Sequence, residues 1–456
     1  MNASSPACCR CSRRRPKRRT CPGSWARVRA RPSIPRTDPP VFVVGVERSG
    51  TTLLSAMLSA HPRLDCGPES RFFARYRHLD ERARQRVLDP ATWPRPAVDF
   101  IGSLRNQGHP ITELFGLTLP EIGTYLAGRR PSATAMLESL TVLHAQRRGK
   151  ARWVEKTPRH LLMTETLREG WPEAFIVRIV RDPRDVALSL AGMPFAKESV
   201  VGNLVRIDED DRASRVRIER DPRAMTLRYE DLVTEPEREL RRVCTFIGED
   251  YEAAMLDSRK TAAGVAAEHE WWKASVSGPL DTANIGKWRE QMSADARRFA
   301  DLHLASYLRE HGYEGAVEPR RSVAVVPVGA AVGPSNERLL LDLARRGIVV
   351  ERPAPTGVNA LRRAHAEGRL LCLGTKGQLD PSRGQGVRAR TFTVLAAVIG
   401  LPLRRLQGRP VLWLRRHTLR QKRPTDPVER IVSPLFRLLA REVSIEEAAD
   451  LVDARG

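Results

Sequence analysis

VFVVGVERSGTTLLSAMLSAHP, residues 41–62, decides the fold. VFVVG is a short apolar run rich in β-branched residues and closed by a glycine, the pattern of a buried strand. TTLLSAMLSA carries apolar residues at helical spacing and stops at Pro62. Strand, glycine-containing turn and helix therefore follow one another within 22 residues. Such a turn lets successive amide N–H groups point inward at a helix N-terminus, where the helix dipole favours an anion. Loops that hold nucleoside triphosphates carry Lys directly after the second glycine. Here Thr51 takes that place and the cation comes earlier, at Arg48. This argues against a nucleotide kinase or NTPase and for an anion of lower charge. Taken alone, the loop leaves a plain strand-to-helix turn open, with glycine for geometry and Ser/Thr for capping.

Outward from the loop, LDCG at 64–67 reads as a second short strand and residues 70–150 as mostly helical. ARWVEK at 151–156 and AFIVRIV at 174–180 read as strands. Asp182 and Pro183 suit the cap and first position of a helix through Val186, Leu188 and Leu190. AMTLRYEDL at 224–232 reads as a strand, followed by a helix over EPERELRRVCTFIG. Strands alternating with helices imply a parallel sheet covered on both faces. The composition shifts near Glu314–Arg321. Beyond it SVAVVPVGAA, IVVERP, RLLCLG and PVLWLRR read as strands. SNERLLLDLARRG and VERIVSPLFRLLAREV read as helices, and LDPSRGQGVRAR as a loop. Residues 321–456 carry no chemical motif.

The 456 residues, 41% hydrophobic, are enough for at least one large core. Lys and Arg number 77 against 54 Asp and Glu, a net charge of +23, and only nine of the cations are Lys. The excess favours anionic partners without choosing among them. Specific nucleic-acid binding is not expected: it calls for a basic stripe interleaved with aromatics, yet aromatics are 5% and Arg is spread widely. Residues 1–40, with the block CSRRRPKRRT, read as a disordered basic tail lacking the apolar run of a secretory signal. Cys8, Cys9, Cys11 and Cys21 lie in that tail with no ordered element around them, so no metal site is assigned. Cys66, Cys244 and Cys372 read as reduced core residues. TVLAAVIGLPL at 393–403 is too short to cross a bilayer. A cytoplasmic protein without a membrane span is expected.

Five landmarks in order give the chain a family resemblance. GVERSGTTLLSAMLSAHPRLDCGPES at 45–70 resembles the 5′-phosphosulfate segment of the PAPS-dependent sulfotransferases, including the short distance to a Gly-x-Glu. VEKTPRHLL at 154–162 resembles the second segment, with its Lys. IVRIVRDPRDVALS at 176–189 resembles the 3′-phosphate segment, which ends a strand in Arg and places Ser eight residues on. LRYEDL at 227–232 and ANIGKW at 283–288 match later landmarks. The nearest branch holds the protein-tyrosine sulfotransferases and many bacterial relatives, and the likeness covers roughly residues 41–315.

The resemblance implies an α/β fold with a P-loop-like parallel sheet flanked by helices, the sulfotransferase fold, over 41–317, and a C-terminal α/β extension over 321–456. The extension could bind the acceptor, mediate homodimerisation or be a separate unit. The resemblance also implies 3′-phosphoadenosine 5′-phosphosulfate (PAPS) as co-substrate, with no metal. Arg48, Ser49, Gly50, Thr51 and Thr52 would hold the 5′-phosphosulfate, and Arg181 and Ser189 the 3′-phosphate. Tyr229 would lie near the adenine, with Lys287 and Trp288 on a late loop closing over the nucleotide. Glu69 would be the general base that takes the acceptor proton. Lys156, with Arg48, would steady charge on the leaving phosphate in an in-line transfer. Glu47 departs from the family pattern, which has Pro there. A carboxylate beside an anion site must turn away or pair with Arg, and turning away is expected. The acceptor stays open among carbohydrate, peptide tyrosine, lipid and small molecule. A related domain that binds nucleotide without turnover is the remaining alternative.

Overall fold

The computed structural model describes residues 38–193, 199–257, 280–324, 334–351, 371–373, 411–414, 441–443 and 450. The Cys-bearing tail 1–37, the pair Trp271 and Trp272, and the loop read at LDPSRGQGVRAR lie outside the described residues.

Five parallel strands form the central sheet: Val41–Gly45, Leu64–Cys66, Arg152–Lys156, Phe175–Val180 and Ala224–Arg228. Val41–Gly45 lies in the middle, between Arg152–Lys156 and Phe175–Val180. Leu64–Cys66 and Ala224–Arg228 form the edges. The first strand is buried along its whole length, as its unbroken apolar run requires. Its alternate residues feed two separate cores: Phe42 and Val44 enter one, Val41 and Val43 the other. Phe175–Val180 divides in the same way, with Ile176 and Val180 on the first side and Val177 and Ile179 on the second. Helices thus cover both faces, as the alternation of elements predicts. Phe42 meets Trp153 edge-on at 5.6 Å and Trp171 at 5.2 Å, a ring cluster that anchors the first core.

Gly45 ends the first strand because nothing larger fits. A Cβ there would stand 2.5 Å from the carbonyl oxygen of Ile179 on the neighbouring strand. The helix Thr51–Ala60 follows at once and packs with Leu54, Met57 and Leu58 in the second core. The segment read as mostly helical is so, ending in the fifteen-residue helix Ala133–Arg147 capped by Ser132. Asp182 caps Pro183–Ala191, its side chain accepting from the Arg184 amide, with Pro183 at the first position as read from the sequence.

Past residue 320, Arg321–Ala324 pairs in parallel with Ile348–Glu351. The helix Pro334–Arg345 places Leu339, Leu340 and Leu343 in the same core as Phe299. Leu371–Leu373, Val411–Leu414 and Arg441–Val443 form a further parallel set. The last of these corrects the sequence reading, which ran a helix through residue 443. Arg441, Glu442 and Val443 instead pair with Leu412, Trp413 and Leu414. A neighbouring strand offering ladder hydrogen bonds overrides a helical apolar spacing. No helix among the described residues is long and apolar enough to cross a membrane.

Candidate functional site

The residues singled out in the sequence gather at the carboxyl ends of the parallel strands. Arg48–Thr52 follows Gly45, Glu69 follows Cys66, and Lys156 ends its own strand. Arg181 follows Val180, and Tyr229 follows Arg228. The chain leaves the first strand at the centre of the sheet, with later strands on either side, and open α/β sheets bind ligands at such a switch point.

The loop after the first strand is shaped for an anion. Arg48 and Gly50 adopt positive φ, 72° and 98°. For the arginine this is an uncommon conformation that the surroundings must hold. A Cβ at Gly50 would sit 2.5 Å from a ring carbon of Tyr229, so glycine is required by space as well as by φ. Gly50 caps the helix Thr51–Ala60 without a side-chain hydrogen bond to its first amides. Those amides are among the donors a helix leaves unsatisfied, and they suit an anion. Ser49 and Thr51 are buried in the turn, and Thr52 is half-buried.

Arg181 and Ser189 come directly to this loop. Arg48 Nε donates to Ser189 Oγ at 3.0 Å. Arg181 Nη1 donates to the Arg48 carbonyl at 3.1 Å, and Nη2 donates to the Asn284 carbonyl. The Arg181 guanidinium lies 4.5 Å over the Tyr229 ring. Its Nε is buried with no hydrogen-bond partner among the described residues. Burial, and then the neighbouring Arg181 charge, lowers the Arg48 pKa, while Tyr229 opposes the shift. Two guanidinium groups in one half-dry pocket repel each other, and an anion between them relieves that repulsion.

The late segment is fastened to the helix Pro183–Ala191. Asp185 accepts the Gly286 amide at 2.7 Å and the Trp288 amide at 2.9 Å. Burial raises the Asp185 carboxyl above its ordinary range, and the two amides partly offset that. Lys287 Nζ donates to Asn284 Oδ1 at 2.8 Å on the exposed side. Trp288 turns inward instead, 5% exposed, with the Arg184 guanidinium 3.6 Å from its ring centre. Lys287 and Trp288 are therefore neighbours that face different surroundings. In Asp185→Asn an amide N–H₂ faces one of those backbone donors. Loss of that bond should quicken hydrogen exchange at the Gly286 or Trp288 amide about tenfold, measured by mass spectrometry, while exchange in the strand Val41–Gly45 stays unchanged.

Glu69 and Lys156 are brought together from two strand ends. Lys156 is fully buried, and its Nζ donates to Glu69 Oε1 at 2.9 Å. Arg71 Nε lies 3.5 Å from the other Glu69 oxygen. This places a carboxylate and an ammonium side by side at the mouth of the sheet, one able to accept a proton and the other to meet a developing negative charge.

Glu47 pairs with two arginines. It lies 3.9 Å from Arg159 and 3.4 Å from Arg206, so the loop's carboxylate is neutralised by pairing. A charge in this half-buried position is less costly when matched than when isolated. Arg159 also reaches Asp210 at 3.4 Å. Burial is the main cause that pushes the Asp210 carboxyl up to about 6, and Glu47 adds to it. His61 is held by backbone: its Nδ1 accepts from the Arg63 amide and its Nε2 faces the Asp250 carbonyl at 2.9 Å. His160 is fully buried on Glu155. Sequence reasoning missed Asp185, Asn284, Arg71 and Glu155. Asp185 had a signal, an acid in the first turn of the helix that follows Arg181. Asn284 acts through its backbone carbonyl, which leaves no trace in residue type.

The chain is similar to known proteins over the part that carries these residues. A model described as "Sulfotransferase family" matches residues 39–253, and one described as "Sulfotransferase domain" matches residues 212–312. The nodulation protein NoeE of Sinorhizobium fredii is 25% identical, over 65% of this chain and 71% of its own length. Protein-tyrosine sulfotransferase A of Caenorhabditis elegans is 24% identical, over 64% of this chain and 72% of its own. The omega-hydroxy-beta-dihydromenaquinone-9 sulfotransferase Stf3 of Mycobacterium bovis is 26% identical, over 65% of this chain and 81% of its own.

Proposed function

The chain belongs to the PAPS-dependent sulfotransferase superfamily, and from that premise we propose that it transfers the sulfuryl group of PAPS to an acceptor hydroxyl or amine. The observation that carries the reading is the hydrogen bond from Arg181 to the Arg48 carbonyl. It puts the group proposed for the 3′-phosphate against the loop proposed for the 5′-phosphosulfate, so one bisphosphorylated nucleoside can reach both. The unused Arg181 Nε and the uncapped amides after Gly50 fit two anionic ends.

In the proposed step Glu69 takes the acceptor proton as the acceptor oxygen or nitrogen bonds to sulfur. The bond between sulfur and the bridging oxygen of the 5′-phosphate breaks, and that oxygen leaves on adenosine 3′,5′-bisphosphate. Lys156 and Arg48 meet the charge that grows on the leaving group. Positioning and electrostatics do most of the work, because little covalent chemistry falls to the protein. Residues 41–317 are proposed as the transferase domain and 321–456 as an α/β addition of unassigned role. Relatives are named for protein tyrosine and for a hydroxylated menaquinone, which supports an alcohol or phenol acceptor without choosing one.

Titration with adenosine 3′,5′-bisphosphate, ADP and ATP tests the reading. The 3′,5′-bisphosphate should bind at least about tenfold tighter than ADP, one charge-assisted phosphate contact being the difference. Tighter binding of ATP than of the 3′,5′-bisphosphate would favour an NTPase and overturn it.

A further inference from the structure

Glu155 takes no part in the chemistry described so far, yet it is buried in an interior strand of the sheet. Three side-chain donors meet it. Ser70 Oγ and Thr157 Oγ1 each donate to Oε1 at 2.7 Å, and His160 Nδ1 lies 2.8 Å from Oε2. Burial pushes the Glu155 carboxyl up, but His160, Ser70 and Thr157 together outweigh it and hold it below its ordinary range. It is therefore a carboxylate at neutral pH. A buried carboxylate is tolerated when its lone pairs are answered, and an apolar side chain would fill the same space without desolvating a charge. What the charge adds here is position.

The placement shows which position. Glu155 and Lys156 are successive strand residues and point to opposite faces of the sheet. Lys156 grips Glu69, while Glu155 grips the next residue, Ser70. Thr157 closes the set by accepting the Arg71 amide at 3.1 Å, and Ser70 Oγ accepts the Phe72 amide at 3.3 Å. Arg71 stands at φ 48°, a conformation that a non-glycine residue keeps only where its surroundings enforce it. The turn carrying Glu69 is thus stitched to the strand end from both sides.

We propose that Glu155 is a positioning residue: by tethering Ser70 and Thr157 it fixes the turn that aims Glu69 at the acceptor and at Lys156. This rests on Glu69 as the base. The tether acts on the transfer step and not on the nucleotide cradles, which lie on the loop after the first strand and on the strands beyond it.

Glu155→Gln and Ser70→Ala test it, with Glu69→Gln as reference. Turnover is followed with PAPS and whichever of 4-nitrophenol, glucose and octanol the wild type sulfates fastest. Both tether variants should lower kcat about 10- to 100-fold, the effect of misplacing a reacting group by about an ångström. Affinity for adenosine 3′,5′-bisphosphate should stay within about twofold, because one fold-preserving contact away from the cradles has changed. Hydrogen exchange at the Arg71 and Phe72 amides should quicken in both variants while exchange at 41–52 stays as in wild type. Unchanged exchange at those two amides overturns the tether, whether or not any acceptor is turned over. A kcat within about twofold of wild type in both variants, or nucleotide affinity falling in step with kcat, overturns the positioning role. Full turnover in Glu69→Gln sinks the base assignment itself, a failure visible separately from the exchange result.

Discussion

Arg181→Ala should lose about 100-fold in affinity for adenosine 3′,5′-bisphosphate, the size expected when a hydrogen-bonded charge is removed from a half-dry site, while adenosine 5′-phosphosulfate binds almost as before. The comparison of the two ligands matters because Arg181 also makes structural contacts. Its guanidinium links the Arg48 carbonyl to the Asn284 carbonyl and covers Tyr229. Loosening those links would weaken both ligands together. Loss of a phosphate contact weakens only the ligand that carries the 3′-phosphate. Calorimetric titration of both nucleotides against wild type and variant gives the ratio directly. A ratio unchanged by the substitution would leave Arg181 a structural brace and would remove the donor assignment with it. Charge relief points to the expected outcome: Arg48 is already held below its usual pKa, by burial and then by Arg181. A bound phosphate stabilises both cations at once.

The second large effect belongs to Glu69→Gln, which should lower kcat about 100-fold or more, the usual contribution of a general base. Nucleotide affinity should not change. Glutamine keeps the volume and can still accept the Lys156 hydrogen bond through its amide oxygen, so the turn keeps its anchor. What it loses is the ability to take a proton. Single-turnover rates with PAPS separate this from product release. A rate within about threefold of wild type would transfer the base role to another group or to solvent. His160 is a poor substitute, since its ring is fully buried and faces Glu155.

Much of the fold was legible because its signals are local. The run VFVVG, the alternation of strands and helices, and Asp182-Pro183 ahead of a helix each rest on a few adjacent residues. Where the reading went astray, the deciding contact was distant. The last residues of VERIVSPLFRLLAREV have helical spacing, yet Arg441–Val443 pairs with a strand 29 positions away. The partners of Glu47 were hidden too: Arg206 approaches from the helix Val200–Arg220. Glu155 could have been suspected from the sequence, as an acid inside a strand expected to be covered on both faces. Its partners could not.

The sequence by itself determined the order of the five strands of the central sheet along the chain, the phosphate-type loop without its Lys, and the list of groups at strand ends. Those follow from residue type and short spacing, which the backbone reads locally. Only the tertiary structure decided that Arg181 bonds to the loop around Arg48, that Lys156 meets Glu69, and that Asp185 fastens the late segment. Each joins residues about ninety to more than one hundred and thirty positions apart. The physical reason is that a parallel sheet brings the ends of distant strands to one edge, and the strand order that does so is set by packing of whole faces.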